Sequence, residues 1–353
     1  MKNKRVFYLD FLKVMSILFV IYNHTHMYVN PANNFFIFLR LFLFSICKIA
    51  VPIFIMVSGA LLLGKKTDYK EIFTKRIFRV FVAYLIACVC FCLYNNKNPL
   101  KLIFYIWDGS NYNYIPYWGW YIYMLIGLYL VLPFLQKLVK SFKEKDYKMF
   151  ILLFLVITSA IEFIPSFSEA LIYGIFHGNI IYKLSFNSFL RTVMFSTVIG
   201  YFVFGYYISN KKITKKENMI SIITFIIVNL VSAGYLYYCF NVTKNYNDFL
   251  LEFSYFPVAI ASMCVFVMAK YYFSEKEDDN TIEKFISLSG GSVFGIYLFH
   301  VPLIGIIHDL PFMSKIFTIN SFLGTFIDVF AVFIILDILF FFIRKISLFR
   351  KIF

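Results

Sequence analysis

Three ionisable side chains lie in the first membrane-length segment, which runs from Arg5 to Tyr28. Asp10, Lys13 and His24 interrupt a run that is otherwise apolar or weakly polar. An ionisable group in hydrocarbon costs at least about 2–3 kcal/mol, so such groups are retained where a cavity, a partner or a reaction offsets that cost. On an ideal helix Lys13 and His24 lie within about 20° of one face and about 16 Å apart along the axis. One face is therefore predicted to carry a cation near the cytosolic entrance and an imidazole deep in the bilayer.

Two further patterns have both a functional and a plain structural interpretation. Arg76 and Arg79 are three residues apart and so share one helix face, either as an anion site or as ordinary cytosolic anchoring of a membrane helix. Ser58 and Gly59 form a small pair inside an apolar segment, which is common where membrane helices pack closely. The residues alone leave these alternatives open.

The composition identifies the class of protein that positions these residues. Of 353 residues, 61% are hydrophobic, 22% aromatic and only 15% charged, far from ordinary globular usage. The net charge of +15 does not indicate nucleic-acid binding, because the basic residues punctuate apolar runs instead of forming a soluble basic face. The sequence predicts an all-α polytopic integral membrane protein, with a single membrane domain over residues 1–353 and no nucleic-acid partner.

Length and flanking residues predict about ten transmembrane helices. They are Phe7–Tyr28, Cys47–Leu63, Ile77–Leu93, Gly119–Leu135, Met149–Ile164, Phe189–Ile208, Met219–Phe240, Phe256–Phe273, Leu288–Ile307 and Phe322–Ile343. Alternate connections, with the two tails, hold 24 of the 34 Lys and Arg residues, which places that side in the cytosol. Both termini are therefore predicted to be cytosolic.

Cysteine and nucleotide-binding motifs add little. Cys88, Cys90 and Cys92 form a C-x-C-x-C run within the third predicted span, but no cysteine pair has zinc-site or redox spacing. The chain has no P-loop, no Rossmann glycine pattern and no G-x-S-x-G elbow. We therefore predict no metal site.

Five separated motifs, taken in order, resemble the integral membrane acyltransferase family 3, typified by bacterial O-acetyltransferases of surface polysaccharides. The motifs are Leu9-Asp10-Phe11-Leu12-Lys13 with His24, the Val51–Leu62 run containing Pro52 and Ser58-Gly59, Arg76-Ile77-Phe78-Arg79, Trp120–Tyr123 followed by Gly127-Leu128-Tyr129 and Pro133, and Ser292–His300. They extend from residue 5 to about residue 305. Two positions depart from the family pattern: Lys13 replaces the usual Arg, which loses a bidentate fork, and Phe11 replaces a Gly.

The resemblance implies a role for each candidate residue. His24 matches the family's essential histidine, which implies either a general base for a sugar hydroxyl or a transient carrier of the acyl group. His300 and Asp328, which the predicted spans place at comparable depth in the membrane, are candidates to orient His24, and a structural role is the alternative for Asp328. The alternative for His300 is a hydrogen bond in helix packing, whereas His308 is interpreted as interfacial and Asp337 as structural.

For the donor, the resemblance implies a coenzyme A thioester. Arg76 and Arg79 would hold its phosphates, because guanidinium forks match anionic oxygens. Asp10 and Lys13 would line the donor tunnel, although they can also simply neutralise one another. Ser58 and Gly59 would let the acyl-pantetheine arm pass beside the backbone.

Aromatic residues cluster where the fourth predicted span begins on the outer side. Trp118, Trp120, Tyr121 and Tyr123 are typical of an interfacial belt. The alternative interpretation is a platform on which sugar rings stack.

The sequence therefore predicts a membrane-bound O-acyltransferase. It would transfer an acyl group, acetyl first among them, from cytosolic acyl-CoA to a hydroxyl of a cell-surface or exported glycan or a lipid-linked glycan, in the plasma (inner) membrane of a bacterium. Acyl transfer to a non-glycan acceptor and export of a polysaccharide or small molecule are the alternatives. The acceptor and the oligomeric state leave no readable mark.

Overall fold

A computed structural model of the chain describes residues 6–25, 34–107, 111–160, 163–164, 167, 197–243, 251–276, 280–347 and 349–353. Within these ranges the regular structure is helical and contains no strand, which confirms the predicted all-α class. The longer helices in chain order are α1 Phe7–Thr25, α2 Asn34–Cys47, α3 Ala50–Leu62, α4 Phe78–Tyr94, α5 Trp120–Ser141, α6 Glu144–Leu153, α7 Thr197–Ser209, α8 Lys215–Thr243, α9 Phe256–Phe273, α10 Thr281–Ser289, α11 Val293–His308, α12 Pro311–Ile319 and α13 Ser321–Ile343. Shorter turns are Tyr69–Glu71, the π-helical Ile72–Ile77 and Phe154–Ala160, Leu102–Tyr105, and the 3₁₀ turns Pro99–Lys101, Tyr117–Gly119 and Phe349–Lys351.

Seven helical segments in the described ranges are long and apolar enough to cross a membrane. The pair α10 and α11 adds an eighth if it forms one broken span. The chain is therefore a polytopic integral membrane protein, and eight of the ten predicted spans have a helical counterpart. The other two predictions, Met149–Ile164 and Phe189–Ile208, extend into residues outside the described ranges.

The predicted start of the second span, at Cys47, was wrong. Helices α2 and α3 together form one candidate span of 29 residues, Asn34–Leu62. The predicted start at Cys47 left Arg40 outside the span. Arg40 lies within the 29-residue segment and is only 5% exposed, and Lys48, in the same segment, has its ammonium 4.5 Å from the centre of the Phe44 ring.

Local capping explains where two helices begin. At α8, the Thr214 hydroxyl accepts a hydrogen bond from the Glu217 amide (3.2 Å), and the Glu217 carboxylate accepts one from the Thr214 amide (2.9 Å). At α10, Asn280 and Glu283 exchange the same pair of bonds, at 2.8 and 3.3 Å. These reciprocal bonds satisfy amide groups that the first helical turn leaves unpaired.

The helices form two compact units. The first consists of Met1–Gly64 and Ser141–Ser287, and the second of Lys65–Lys140 and Leu288–Phe353. The prediction of a single membrane domain over residues 1–353 stays a prediction.

In the first unit α3 and α7 pack closely against each other. A methyl group added at Gly59 would overlap the backbone carbonyl of Phe202, and one added at Gly205 would overlap the backbone of Met56. The two glycines thus allow the helices to pack backbone to backbone, as small residues do in membrane bundles. Around this crossing, α1 packs on α2, α3 and α9, and α8 packs on α2 and α9.

We expect Gly59→Ala to destabilise the protein by about 1–3 kcal/mol, because the added methyl group forces α3 away from α7. Gly234→Ala is the matched control: within the described part of the chain nothing lies within 4 Å of the added methyl group, and Ala favours a helix over Gly by up to about 1 kcal/mol. Thermal unfolding of the two purified variants in detergent measures the difference. Equal melting temperatures would contradict the close crossing.

In the second unit α11 packs along α13 and against α4. Trp118 lies inside this unit, 3% exposed, with its indole N–H donating to the Leu298 carbonyl at 3.3 Å. Both sequence interpretations of Trp118, as a belt residue and as a sugar platform, were therefore wrong, because its ring is buried. Trp120 is 43% exposed, as a belt residue would be.

Candidate active site

The Asp10 and Lys13 side chains of α1 contact each other directly. The Lys13 ammonium lies 2.7 Å from the Asp10 carboxylate, with Asp10 buried and the Lys13 side chain 24% exposed. Local neutralisation, one of the two sequence interpretations, is thus present in the structure. A role for this pair in a donor tunnel stays a prediction.

His24 is the second-last residue of α1 as described, and its side chain is half-buried. Its neighbours tie this end of α1 to the second span. The Asn23 amide donates to the Cys47 carbonyl at 3.0 Å, and the buried Tyr22 phenol lies within electrostatic reach of Arg40. His26 lies outside the described residues. His24 therefore has polar neighbours on its own helix and on α2.

Sequence reasoning missed Arg40 as a candidate. It lies in the first unit, on the buried face of α2, which also carries Ser45, whose hydroxyl is 3.3 Å from the Asn229 amide oxygen of α8. A guanidinium in a membrane span is a functional candidate by default, because burying its charge is costly. The available signal was a single charge within the apolar run from Asn34 to Cys47.

Ser58 and Gly59 have different surroundings in the structure. The side-chain position of Gly59 is filled by the backbone of Phe202, so close packing accounts for this glycine. An acyl-pantetheine arm has no room on that side of α3. Ser58 is half-buried, and its hydroxyl donates to the Phe54 carbonyl at 2.9 Å within its own helix.

The charges of Arg76 and Arg79 both act on the buried Tyr129 phenol of α5, and their sharing of one helix face stays a prediction from their spacing. Arg76 belongs to the π-helical turn Ile72–Ile77, an irregularity often found at functional sites. One of its terminal nitrogens is 3.9 Å from the Glu71 carboxylate. Its Nε is buried and has no hydrogen-bond partner in the described part of the chain. That geometry suits an anionic ligand, whose oxygens would satisfy the buried donor.

Arg79 is bonded to the last residues of the chain. Its Nε donates to the Ile352 carbonyl at 3.0 Å, and Nη2 donates to a main-chain oxygen of Phe353 at 2.7 Å. No local sequence pattern predicts this contact, which joins residues more than 270 positions apart. Sequence reasoning also assigned no role to Tyr129, although it lies in one of the recognised motifs.

His300 is fully buried in an aromatic cluster. Its Nδ1 lies 2.7 Å from the Tyr297 carbonyl, which fixes the proton on Nδ1 because a carbonyl can only accept. The Trp118 ring lies 5.9 Å from the imidazole. These contacts match the alternative of a packing role. A catalytic role for His300 stays a prediction.

Asp328 faces His308. The carboxylate lies in α13 with 0% exposure, and His308 Nδ1, at the end of α11, is 3.7 Å from it. The His308 side chain is 28% exposed, so the contact with this buried acid leaves its interfacial interpretation a prediction. Asp337 accepts a hydrogen bond from the Ser289 hydroxyl at 2.6 Å, in line with its structural interpretation.

The candidate residues divide between the two units. The first contains Asp10, Lys13, His24, Ser58 and Gly59, and the second contains the arginine pair, His300 and Asp328. Within the described ranges, no group of three or more His, Cys, Asp or Glu side chains is arranged to hold a metal ion.

Comparison with known proteins supplies one match. The family model Acyl_transf_3, described as an acyltransferase domain, matches residues 6–342, nearly the whole chain. Neither the search of curated proteins nor the search of solved structures found a match.

Proposed function

Because this chain belongs to the acyltransferase 3 family, we propose that it transfers an acyl group from cytosolic acyl-CoA to a hydroxyl group of a cell-surface or exported glycan. Family membership makes the chain a membrane acyltransferase. The identities of the donor and of the acceptor are proposals that go beyond family membership. The observation that supports acyl-CoA as the donor is the pair Arg76 and Arg79 near Tyr129. The Arg76 Nε is buried and has no hydrogen-bond partner among the described residues.

Charge and location favour a coenzyme A thioester as the donor. Two guanidinium groups on one face match the phosphate oxygens of coenzyme A, for which arginine forks are well suited. The connection from Lys65 to Arg76 is rich in basic residues, which favours the cytosolic side of the membrane, where acyl-CoA is available. Acetyl is the expected group from the family resemblance, with succinyl or another short acyl group as the alternative.

The proposed chemistry requires one proton acceptor. The acceptor hydroxyl oxygen attacks the thioester carbonyl carbon, the carbon–sulfur bond breaks, and coenzyme A leaves as a thiolate. His24 takes the hydroxyl proton as general base, and protonation of the thiolate completes the balance. In the second route the His24 ring attacks the thioester carbonyl carbon, and the carbon–sulfur bond breaks to release coenzyme A as a thiolate. The acceptor hydroxyl then attacks the acyl group on the ring, the carbon–nitrogen bond breaks, and the hydroxyl proton balances the charge of the thiolate.

Transfer of labelled acetyl tests this proposal. Purified protein in lipid vesicles is incubated with acetyl-CoA labelled in the acetyl group and with a lipid-linked glycan. The expected product is labelled glycan whose label is released by mild alkali, as an ester is. Label that stays on coenzyme A, or that appears only on a non-glycan acceptor, would contradict the assigned acceptor.

Lys13 provides a test of the donor tunnel. We expect Lys13→Ala to raise the KM for acyl-CoA about tenfold, the loss of roughly 1.4 kcal/mol of donor binding, and Lys13→Arg to keep activity because a cation is retained. Since Lys13→Ala also leaves Asp10 buried without its ion pair, the double variant Asp10→Asn/Lys13→Ala is the control. A KM that returns to the wild-type value in the double variant would reduce the pair to a structural role.

A further inference from the structure

The residues that bond Arg79 form a short segment, Phe349–Phe353, in the second unit. Two main-chain oxygens of this segment, the Ile352 carbonyl oxygen and a main-chain oxygen of Phe353, accept the two hydrogen bonds from the guanidinium described above. A guanidinium has five N–H donors in a fixed fork, and two of them are engaged here. The segment thus lies on the group that the proposed function assigns to the donor.

An aromatic anchor holds this segment in place. Phe353 is only 4% exposed, and its ring centre lies 5.0 Å from that of Phe340 and 6.4 Å from those of Phe299 and Phe349. Lys351, in contrast, is exposed. A substitution cannot remove the main-chain oxygens that bond Arg79. It can remove the Phe353 side chain, which holds them in place.

We propose that the Phe349–Phe353 segment is a cover that competes with the anionic donor for Arg79, an inference that rests on the proposed function. A phosphate group presents several ionised oxygens to the guanidinium fork, whereas the segment offers one main-chain oxygen to each of two donors, so an arriving donor displaces the segment. Arg76 is not bonded by the segment: its buried Nε has no partner in the described part of the chain. The donor meets Arg76 first and then takes Arg79 from the cover.

The cover lowers the apparent affinity for the donor by the fraction of molecules in which it is open. A segment in place about 70–90% of the time weakens apparent binding about three- to tenfold. Releasing the cover is expected to reverse this loss of about three- to tenfold in apparent affinity without any new contact to the donor.

Binding of coenzyme A to the purified full chain tests the inference. Phe353→Ala removes the anchor and is expected to tighten coenzyme A binding about three- to tenfold, whereas Phe353→Leu keeps an apolar anchor and stays near wild type. Phe330→Ala is the control for loss of a phenyl group, since Phe330 is 52% exposed on α13. In an Arg79→Gln background, Phe353→Ala is expected to have no effect, because the contested group is gone.

The outcomes separate the cover from the donor site itself. If Arg79→Gln weakens coenzyme A binding but Phe353→Ala binds like wild type, the cover is overturned and the donor assignment stands. If neither Arg76→Gln nor Arg79→Gln changes binding, the donor assignment fails and the cover fails with it.

A spectroscopic readout remains decisive if Phe353→Ala does not fold. A fluorinated phenylalanine at position 353 reports the surroundings of this ring by ¹⁹F NMR in an otherwise unaltered chain. Saturating coenzyme A is expected to shift its resonance toward the solvent-exposed position. An unmoved resonance with coenzyme A bound would overturn the cover.

Discussion

Replacing His24 with Ala is expected to lower acyl transfer by about 10²- to 10⁴-fold, the usual loss when a positioned acid–base group is removed. The variant should still insert and fold, because the His24 side chain is only half-buried and its replacement leaves a smaller change than the loss of a fully buried side chain would. Acyl transfer is measured at matched protein levels in vesicles, together with thermal unfolding to verify folding.

His26→Ala is the matched control for His24→Ala. Two residues apart on a helix places side chains about 160° apart, so the two imidazoles would not serve one cavity. His26 itself lies outside the described residues, and the control depends on the helix continuing past Thr25. A fully active His24→Ala variant, or an equally inactive His26→Ala variant, would remove His24 from the chemistry.

The Arg76→Gln/Arg79→Gln double variant is expected to weaken acyl-CoA binding by at least about 10- to 100-fold. A hydrogen bond to a charged group contributes about 1.5–3 kcal/mol, and each arginine supplies at least one to the donor in this account. The KM for acyl-CoA should rise more than kcat falls, because the phosphates are remote from the reacting carbonyl. Coenzyme A binding to the purified protein measures the same loss directly.

Lys75→Gln is the control for the arginine pair. Lys75 is exposed, carries the same charge and lies beside Arg76 in the π-helical turn. If Arg76 and Arg79 only anchor the helix at the cytosolic side, all these variants should change insertion alike and leave donor binding intact. That result would return the pair to ordinary positive-inside anchoring.

Local patterns predicted much of the helical architecture. Apolar runs of membrane length placed α9 and α13 almost to the residue, and also the start of α1, since backbone groups in lipid must bond within a helix. The start of the second span was missed because a charge was assumed to lie outside the membrane, whereas Arg40 is buried in α2. The hydropathy of a short sequence segment contains no information about the neighbouring helices that bury such a charge.

The candidate site was only partly readable for the same reason. The shared face of Arg76 and Arg79 follows from helix geometry and could be predicted. The contact of His308 with Asp328 and the bonding of Arg79 to Phe353 join distant parts of the chain, and no periodicity encodes them. Likewise, the sequence alone does not show that the backbone of Phe202 fills the space beside Gly59.

The most direct test of the central claim is release of coenzyme A from acetyl-CoA by the detergent-purified protein, followed by trapping of the free thiol. Wild-type protein is expected to release coenzyme A, faster with a glycan acceptor present, and the His24→Ala variant to release almost none. The Arg76→Gln/Arg79→Gln variant should recover release only at high acetyl-CoA. Acetyl-CoA left intact by wild-type protein that nevertheless moves glycan or small molecules across vesicle membranes would contradict the account and favour an exporter.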